Sequence, residues 1–228
     1  MKAVFVTGTD TEVGKTVVCG LLGRYLLDKG HSVITQKWIQ TGSDGFAEDI
    51  TVHLRLMGRE KEDIEEHLPY IAPYTFGLAA SAHLAAEAER GKIIASKIKD
   101  SFTALSKKFD TVIVEGIGGA LVPFNRKELV IDIAQELDLP VIIVAKNKLG
   151  AINHTLLTVE AIEKRNMKIT GIIFNGNKDE DKIITNDNPQ IVKELTGERI
   201  LGSLPWLNEP ELLHKAFVPI GDNIWIGG

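Results

Sequence analysis

Five short runs rich in β-branched and aliphatic residues punctuate the chain: Ala3 to Val6, Ser32 to Thr35, Thr111 to Val114, Val141 to Ala145 and Thr170 to Phe174. They are apolar at successive rather than alternate positions and are bounded by turn-forming residues, the pattern of parallel strands covered on both faces. Between the first two, Val17, Val18, Leu21, Leu22, Tyr25 and Leu26 recur at i, i+1, i+4 and i+5. That spacing predicts one face of a helix ending near Gly30. Ile152, Leu156, Val159 and Ile162 predict a second helix, and Leu84, Ala85 and Ala88 a third with a weaker face. Pro189 after Asn188 predicts the first position of a helix following its cap. A short strand is expected around Ile200, and residues 197–228 otherwise show no regular pattern.

Strand–helix alternation over nearly the whole chain predicts an α/β fold, one open, mostly parallel sheet with helices on both faces. With no linker and no internal repeat, residues 1–228 read as a single domain. The charge runs Arg59 to Glu66 and Lys178 to Lys182 read as solvated helix or loop faces. In such a sheet ligands bind beyond the carboxyl ends of the strands, so chemistry is sought just after each apolar run.

Composition narrows the function classes. With 44% hydrophobic and 25% charged residues in 228, the chain can bury a full core, which excludes disorder and collagen-like fibres. Its 26 Lys and Arg against 31 Asp and Glu leave a net charge of −5 and no basic run, so no nucleic-acid partner is expected. Val141 to Ala145 falls far short of the ~20 residues of a spanning helix, and no membrane partner is expected either. The opening MKAVFVTGTDTE turns polar too soon for the apolar region of a signal peptide. A single cysteine, Cys19, can form no internal disulfide, and a reducing, cytoplasmic setting is the expectation.

After the first strand comes Gly8-Thr9-Asp10-Thr11-Glu12-Val13-Gly14-Lys15-Thr16, followed directly by a helix. This is a phosphate-binding loop in its strand–loop–helix setting. Backbone N–H groups and the helix N-terminus cradle an oligophosphate, Lys15 supplies a point charge, and the Thr16 hydroxyl can ligate Mg²⁺. The expected first glycine would stand at position 9, where this chain has Thr9 with Gly8 one step earlier. The third strand ends in Val114-Glu115-Gly116-Ile117-Gly118-Gly119, which reads either as a second Mg²⁺ contact or as a glycine turn with a solvated Glu. Paired with the phosphate loop the first reading is favoured, because burying Glu115 unpaired would be costly. Lys37, at the end of the second strand, could reach the same phosphates or lie on the surface. Asp49 could be a ligand or a helix N-terminal acid. His154 reads as a packed or capping histidine, and Trp38 and Trp225 as packing residues.

Thr7 to Thr16 and Val114 to Gly119, with Lys148-Leu149-Gly150-x-Ile152-Asn153-His154, Pro73-Tyr74-Thr75-Phe76 and Pro205-Trp206-Leu207, resemble the dethiobiotin synthetases, in order from residue 7 to 207. The resemblance implies a single P-loop NTPase-like domain that uses ATP and Mg²⁺ to join 7,8-diaminopelargonate with CO₂ or bicarbonate. It further implies that Glu12, Val13, Gly14, Lys15, Thr16 and Val17 hold the phosphates, with Gly116, Ile117 and Gly118 beside them. Lys15, Lys37 and Thr11 take the catalytic roles, and Thr16, Asp49 and Glu115 the metal. Asn175, Gly176, Pro205, Trp206 and Leu207 correspond to the adenine site, and Thr41, Gly150 and Asn153 to the substrate site. A homodimer sharing that substrate site across its interface is also implied. The chain departs from the family in having Thr41 where Ser is frequent, and in a loop, Gly77 to His83, poorer in proline.

Two rival functions lack their signatures. A switch ATPase of the ParA or MinD type carries an extra lysine five positions before the loop lysine, where this chain has Asp10. A glutamine-dependent amide ligase needs a nucleophilic cysteine and a second domain, and here only Cys19 stands, inside a helix.

Overall fold

The computed structural model describes residues 2–178 and 180–225, the Trp225 side chain excepted; Asp179 in the second charge run and the Trp225 ring lie outside the described residues. In chain order the strands are β1 (Ala3–Gly8), β2 (Val33–Lys37), β3 (Ile39–Thr41), β4 (Tyr74–Phe76), β5 (Thr111–Gly119), β6 (Val141–Lys146), β7 (Ile169–Asn175) and β8 (Ile200–Leu204). The helices are α1 (Lys15–Asp28), α2 (Glu48–Met57), α3 (Leu68–Ile71), α4 (Ala82–Ala88), α5 (Ala95–Ser106), α6 (Val130–Glu136), α7 (Ala151–Glu163), α8 (Lys182–Thr196) and α9 (Pro210–Trp225).

Six strands form one sheet in the order β2-β5-β1-β6-β7-β8, with every pairing between these strands parallel. The pleat explains the continuous apolar runs. Ala3 and Phe5, Val112 and Val114, and Ile143 and Ala145 face one core, and Val4 and Val6, Ile113, and Ile142 and Val144 face the other. Fully burying each such side chain contributes roughly 1.5–3 kcal/mol, so neither face tolerates polarity. β1 lies at the centre, between β5 and β6, and the loop that follows it therefore opens where the connections diverge to either side.

Three expectations need correction. Residues 210–225 form α9, whose Phe217, Ile220 and Ile224 are buried against the α1 side of the sheet. Pro219 and Gly221 hid that spacing. In α4 the buried residues are Ala82, Ala85 and Ala86, while Leu84 and Ala88 are exposed. Small side chains face inward there and the large one faces water.

The third correction concerns Pro189, which lies inside α8 rather than at its start. The true cap is Asp181, whose Oδ1 accepts from the Ile183 N–H at 2.8 Å. A proline has no N–H for the carbonyl four residues earlier, here Thr185. That oxygen instead accepts from Asn147 Nδ2 at 2.8 Å. The buried Asn188 amide donates back to Asn147 Oδ1 at 2.8 Å and to the Lys148 carbonyl at 3.1 Å. Asn188 is thus a tie between α8 and the β6–α7 loop.

Asn147→Ala should lower stability by about 1–3 kcal/mol, the cost of stranding buried partners, measured by urea denaturation. Adding Pro189→Ala should recover part of that loss, because residue 189 then brings its own N–H to Thr185. Strictly additive effects would contradict the substitution of one bond by the other.

Candidate active site

The carboxyl ends of β1, β2, β5, β6 and β7 surround a cleft of about 520 Å³. Its wall contains Thr11, Glu12, Gly14, Lys15, Thr16, Val17, Lys37, Thr41, Asp49, Glu115, Ile117, Gly118, Asn175 and Trp206, which gathers most of the residues expected to bind nucleotide, metal and substrate.

The phosphate loop is shaped by its backbone. Glu12 has φ +54° and Gly14 φ +101°, the second a left-handed conformation that turns the chain into α1. The displaced first glycine has a physical reason: a Cβ on Gly8 would lie 2.8 Å from the Asp10 carbonyl and 2.9 Å from Lys15 Nζ. Lys15 is buried and its Nζ donates to that carbonyl at 2.9 Å, so the lysine folds back over its own loop. Burial, with the nearby Lys37 charge second, lowers its ammonium to about 8.

Parallel register brings the next two groups together, since Lys37 on β2 is the direct partner of Glu115 on β5. Both are buried. Lys37 Nζ stands 2.8 Å from Glu115 Oε1, 2.7 Å from Asp49 Oδ2 and 2.9 Å from the Gly116 carbonyl. The Thr16 hydroxyl donates to the same Glu115 oxygen at 3.0 Å. Burial acts to raise the Glu115 carboxyl, yet Lys37 and the histidine beside it outweigh burial and hold it far below the usual carboxylate range. Burial likewise acts to lower Lys37, and the two carboxylates overcome it and hold the ammonium above its ordinary value. Asp49 sits in the first turn of α2, which meets its reading as a helix-terminal acid, and its carboxylate also reaches Lys37.

Two carboxylates and a hydroxyl converge on one corner, and a lysine cation already lies between the carboxylates. An all-oxygen set of this kind suits a hard divalent ion such as Mg²⁺.

Val13, Gly116, Gly176, Pro205, Leu207, Gly150 and Asn153 fall outside the cleft wall. Val13 is buried, and its carbonyl accepts from Asn175 Nδ2 at 2.9 Å, so Asn175 ties β7 to the phosphate loop. Gly176 donates its N–H to the Leu204 carbonyl at 2.7 Å and leads to the Pro205 to Leu207 segment. Trp206 is half exposed, with Lys146 Nζ 5.9 Å from its ring centroid. Gly150 and Asn153, at the start of α7, are exposed and do not line this cleft. His154, expected to pack or cap, is exposed on the same helix, because its position faces away from the buried Thr155, Val159 and Ile162. Trp38 is fully buried and stacks on Phe5, as a packing residue should. The Cys19 thiol is buried and pushed up by desolvation, the opposite of an activated nucleophile.

Three residues of the site escape sequence reasoning. Gln40 lines the cleft and accepts from the Asp49 N–H at 3.3 Å. Lys146 ends β6 just as Lys37 ends β2, a placement that could have flagged it. His53, fully buried, places Nε2 2.8 Å from Glu115 Oε2; its spacing of one helical turn from Asp49 was the available signal.

Known proteins resemble this chain in sequence and in fold. A family model described as an AAA domain matches residues 2–211. An ATP-dependent dethiobiotin synthetase BioD 2 of Pasteurella multocida is 38% identical over 192 residues, covering 84% of this chain and 90% of the relative. The corresponding BioD 2 of Haemophilus influenzae is 40% identical over 185 residues, covering 80% and 95%. An ATP-dependent dethiobiotin synthetase BioD of Anaeromyxobacter dehalogenans (strain 2CP-1) is 39% identical over 217 residues, covering 95% and 94%. The chain belongs to the dethiobiotin synthetase family. As a member of that family it is an ATP-dependent ligase.

Solved structures add the fold. The MinC:MinD cell division complex of Aquifex aeolicus aligns with a TM-score of 0.62 at 16% identity, over 99% of this chain and 96% of that one. The pNOB8 ParA bound to nonspecific DNA gives 0.59 at 13%, over 99% and 97%. At such identities the likeness is one of P-loop NTPase architecture alone. No helix among the described residues is long and apolar enough to cross a membrane.

Lys37→Met should destabilise this dethiobiotin synthetase family member by roughly 3 kcal/mol, because it leaves Glu115 buried without its main counter-charge. Combined with Glu115→Gln the loss should be smaller than the sum of the two single changes. Chemical denaturation of the four proteins measures the coupling, and additivity would mean that the pair is not electrostatically linked.

Proposed function

We propose that this ligase makes dethiobiotin, closing a cyclic urea on 7,8-diaminopelargonate at the expense of ATP. The observation that carries the reading is the convergence of Lys15, Lys37, Asp49 and Glu115 at the end of a phosphate loop. One amine of the diamine takes up CO₂ as a carbamate and releases a proton. A carbamate oxygen then attacks the γ-phosphorus of ATP, the bond to ADP breaks, and a carbamic–phosphoric anhydride results. The second amine attacks the carbonyl carbon and gives up a proton, phosphate leaves with the bonding pair and takes up that proton, and the ring is closed.

The first transfer brings two anions together, so positioning and charge neutralisation must carry the catalysis. Lys15 and Lys37, on a wall that also holds Lys146, would neutralise the anions, and Thr11 would donate to the carbamate. Thr16, Asp49 and Glu115 would hold Mg²⁺, which when bound supplies further neutralisation at the phosphate oxygens. Glu12 to Val17 and Gly116 to Gly118 would enclose the phosphates. Asn175, Gly176 and the Pro205-Trp206-Leu207 segment would frame adenine, with Thr41 on the substrate side. A cytoplasmic setting belongs to the same reading.

The exposed start of α7 supports a site completed by a second copy. Leu149 is 77% exposed, and Leu121 and Leu157 share a small apolar hollow with His154 of the same helix, α7. Gly150 caps α7 and Asn153 lies in its first turn, at a helix N-terminus suited to a substrate carboxylate. In this reading they serve the partner's cleft in a homodimer.

Phosphate release from MgATP should require both the diamine and CO₂ or bicarbonate. Equal release without the diamine, followed with a coupled phosphate assay, would refute the synthetase reading.

The shared site has its own test. Lys37→Ala and Asn153→Ala proteins, each checked to be inactive alone, are co-refolded in equal amounts, so that about half the dimers are mixed. Each mixed dimer should regain one working site of two, returning activity to roughly a quarter of wild type. Activity remaining at the level of the separate variants would place each site within one subunit.

A further inference from the structure

His53 stands outside the roles given so far. It lies on α2 one turn beyond Asp49 and has no exposed surface. Its Nε2 is 2.8 Å from Glu115 Oε2. A carboxylate only accepts hydrogen bonds, so Nε2 carries the proton. Nδ1 is buried with no partner, which fits a bare lone pair better than a second N–H with nowhere to donate. The α2 backbone at His53 packs closely on α1, where a Cβ on Gly20 would lie 3.2 Å from the His53 Cα, and a ring nitrogen lies within 4.8 Å of Cys19 Sγ.

The two oxygens of Glu115 are therefore unequal. Oε1 faces Thr16 and Lys37, at the end of the phosphate loop. Oε2 is turned toward α2 and held by His53. A carboxylate fixed in this way offers one oxygen, as a small octahedral ion needs. Ca²⁺, larger and content with bidentate carboxylates, gains from a carboxylate free to rotate about its terminal bond and present both.

We propose that His53 is the positioning residue that holds Glu115 in a one-oxygen presentation, and that it thereby sets the preference of the site for Mg²⁺ over Ca²⁺. The proposal rests on the reading above for Glu115 as a metal-site carboxylate. Removal of such an outer-shell partner costs about 10–100-fold in metal affinity.

The test compares wild type, His53→Leu and His53→Gln by titration calorimetry with Mg²⁺ or Ca²⁺ and a non-hydrolysable ATP analogue. The affinity of the analogue for each ion is common to all three proteins. Leu should lose at least about tenfold in Mg²⁺ affinity and lower the Mg²⁺ to Ca²⁺ ratio, with Ca²⁺ binding held or improved. Gln, whose amide N–H can reach the same oxygen, should restore the ratio. An unchanged ratio in Leu, or an equal loss in Leu and a natively folded Gln, would overturn the role of His53. Absence of Mg²⁺-dependent analogue binding in wild type would overturn the metal site itself and this proposal with it. Should Leu fail to fold, ¹⁵N spectra of the wild-type histidine rings decide, with His53 identified by its loss in the Gln variant. The Nε2–H tautomer should persist when Mg²⁺ and the analogue are added, and an Nδ1–H tautomer or a doubly protonated ring would refute the proposal.

Discussion

A lysine and a glutamate buried side by side on neighbouring parallel strands are the constraint around which the rest of this protein is arranged. Lys37 and Glu115 are register partners on β2 and β5, and neither has appreciable contact with water. Desolvating each charge costs several kcal/mol, so the pair exists only because its remaining hydrogen-bonding positions are filled. Thr16 from α1, Asp49 and His53 from α2 and the Gly116 carbonyl fill them. The requirement for satisfaction thus dictates where α1 and α2 begin and how they lean on the sheet.

The same economy governs the phosphate loop. Two buried lysines near one another would repel without the carboxylates between β5 and α2, and the lowered Lys15 ammonium records what repulsion and burial remain. A cleft built this way holds fixed charges in a dry wall before any anion arrives. Such preorganisation is what phosphoryl transfer between anions requires of a protein.

Much of this was legible in the chain. Five of the six strands of the main sheet announce themselves because parallel strands buried on both faces must be continuously apolar, as Val141 to Ala145 is. Lys15 and Thr16 are legible because a phosphate loop is local: its geometry is contained in nine consecutive residues. β3 and β4 were not legible, since three residues each, Ile39–Thr41 and Tyr74–Phe76, carry no period. α9 was masked by Pro219 and Gly221, although Phe217, Ile220 and Ile224 keep helical spacing. His53 and Lys146 join the site through pairings distant in sequence, and the local signals they carry, a spacing of one turn from Asp49 and a strand-end position, point to the site only once Glu115 and the cleft are in place. Lys37 and Asp49 lay between these cases, visible as strand-end and helix-start residues but ambiguous until register placed Glu115 beside them.

The asparagine that stands in for a missing helix bond has a historical consequence. A proline arriving first at position 189 would have stranded the Thr185 carbonyl and met selection against the loss. An asparagine arriving first at 147 would have found the helix already bonded, with its amide still welcome to Asn188 and its neighbours. The tolerable order of events is therefore asparagine, then proline. Once both were present the path back closed as well, because reverting Asn147 alone now removes the side-chain donor to a carbonyl that residue 189 can no longer serve. Two residues 42 apart in the chain have become a one-way ratchet.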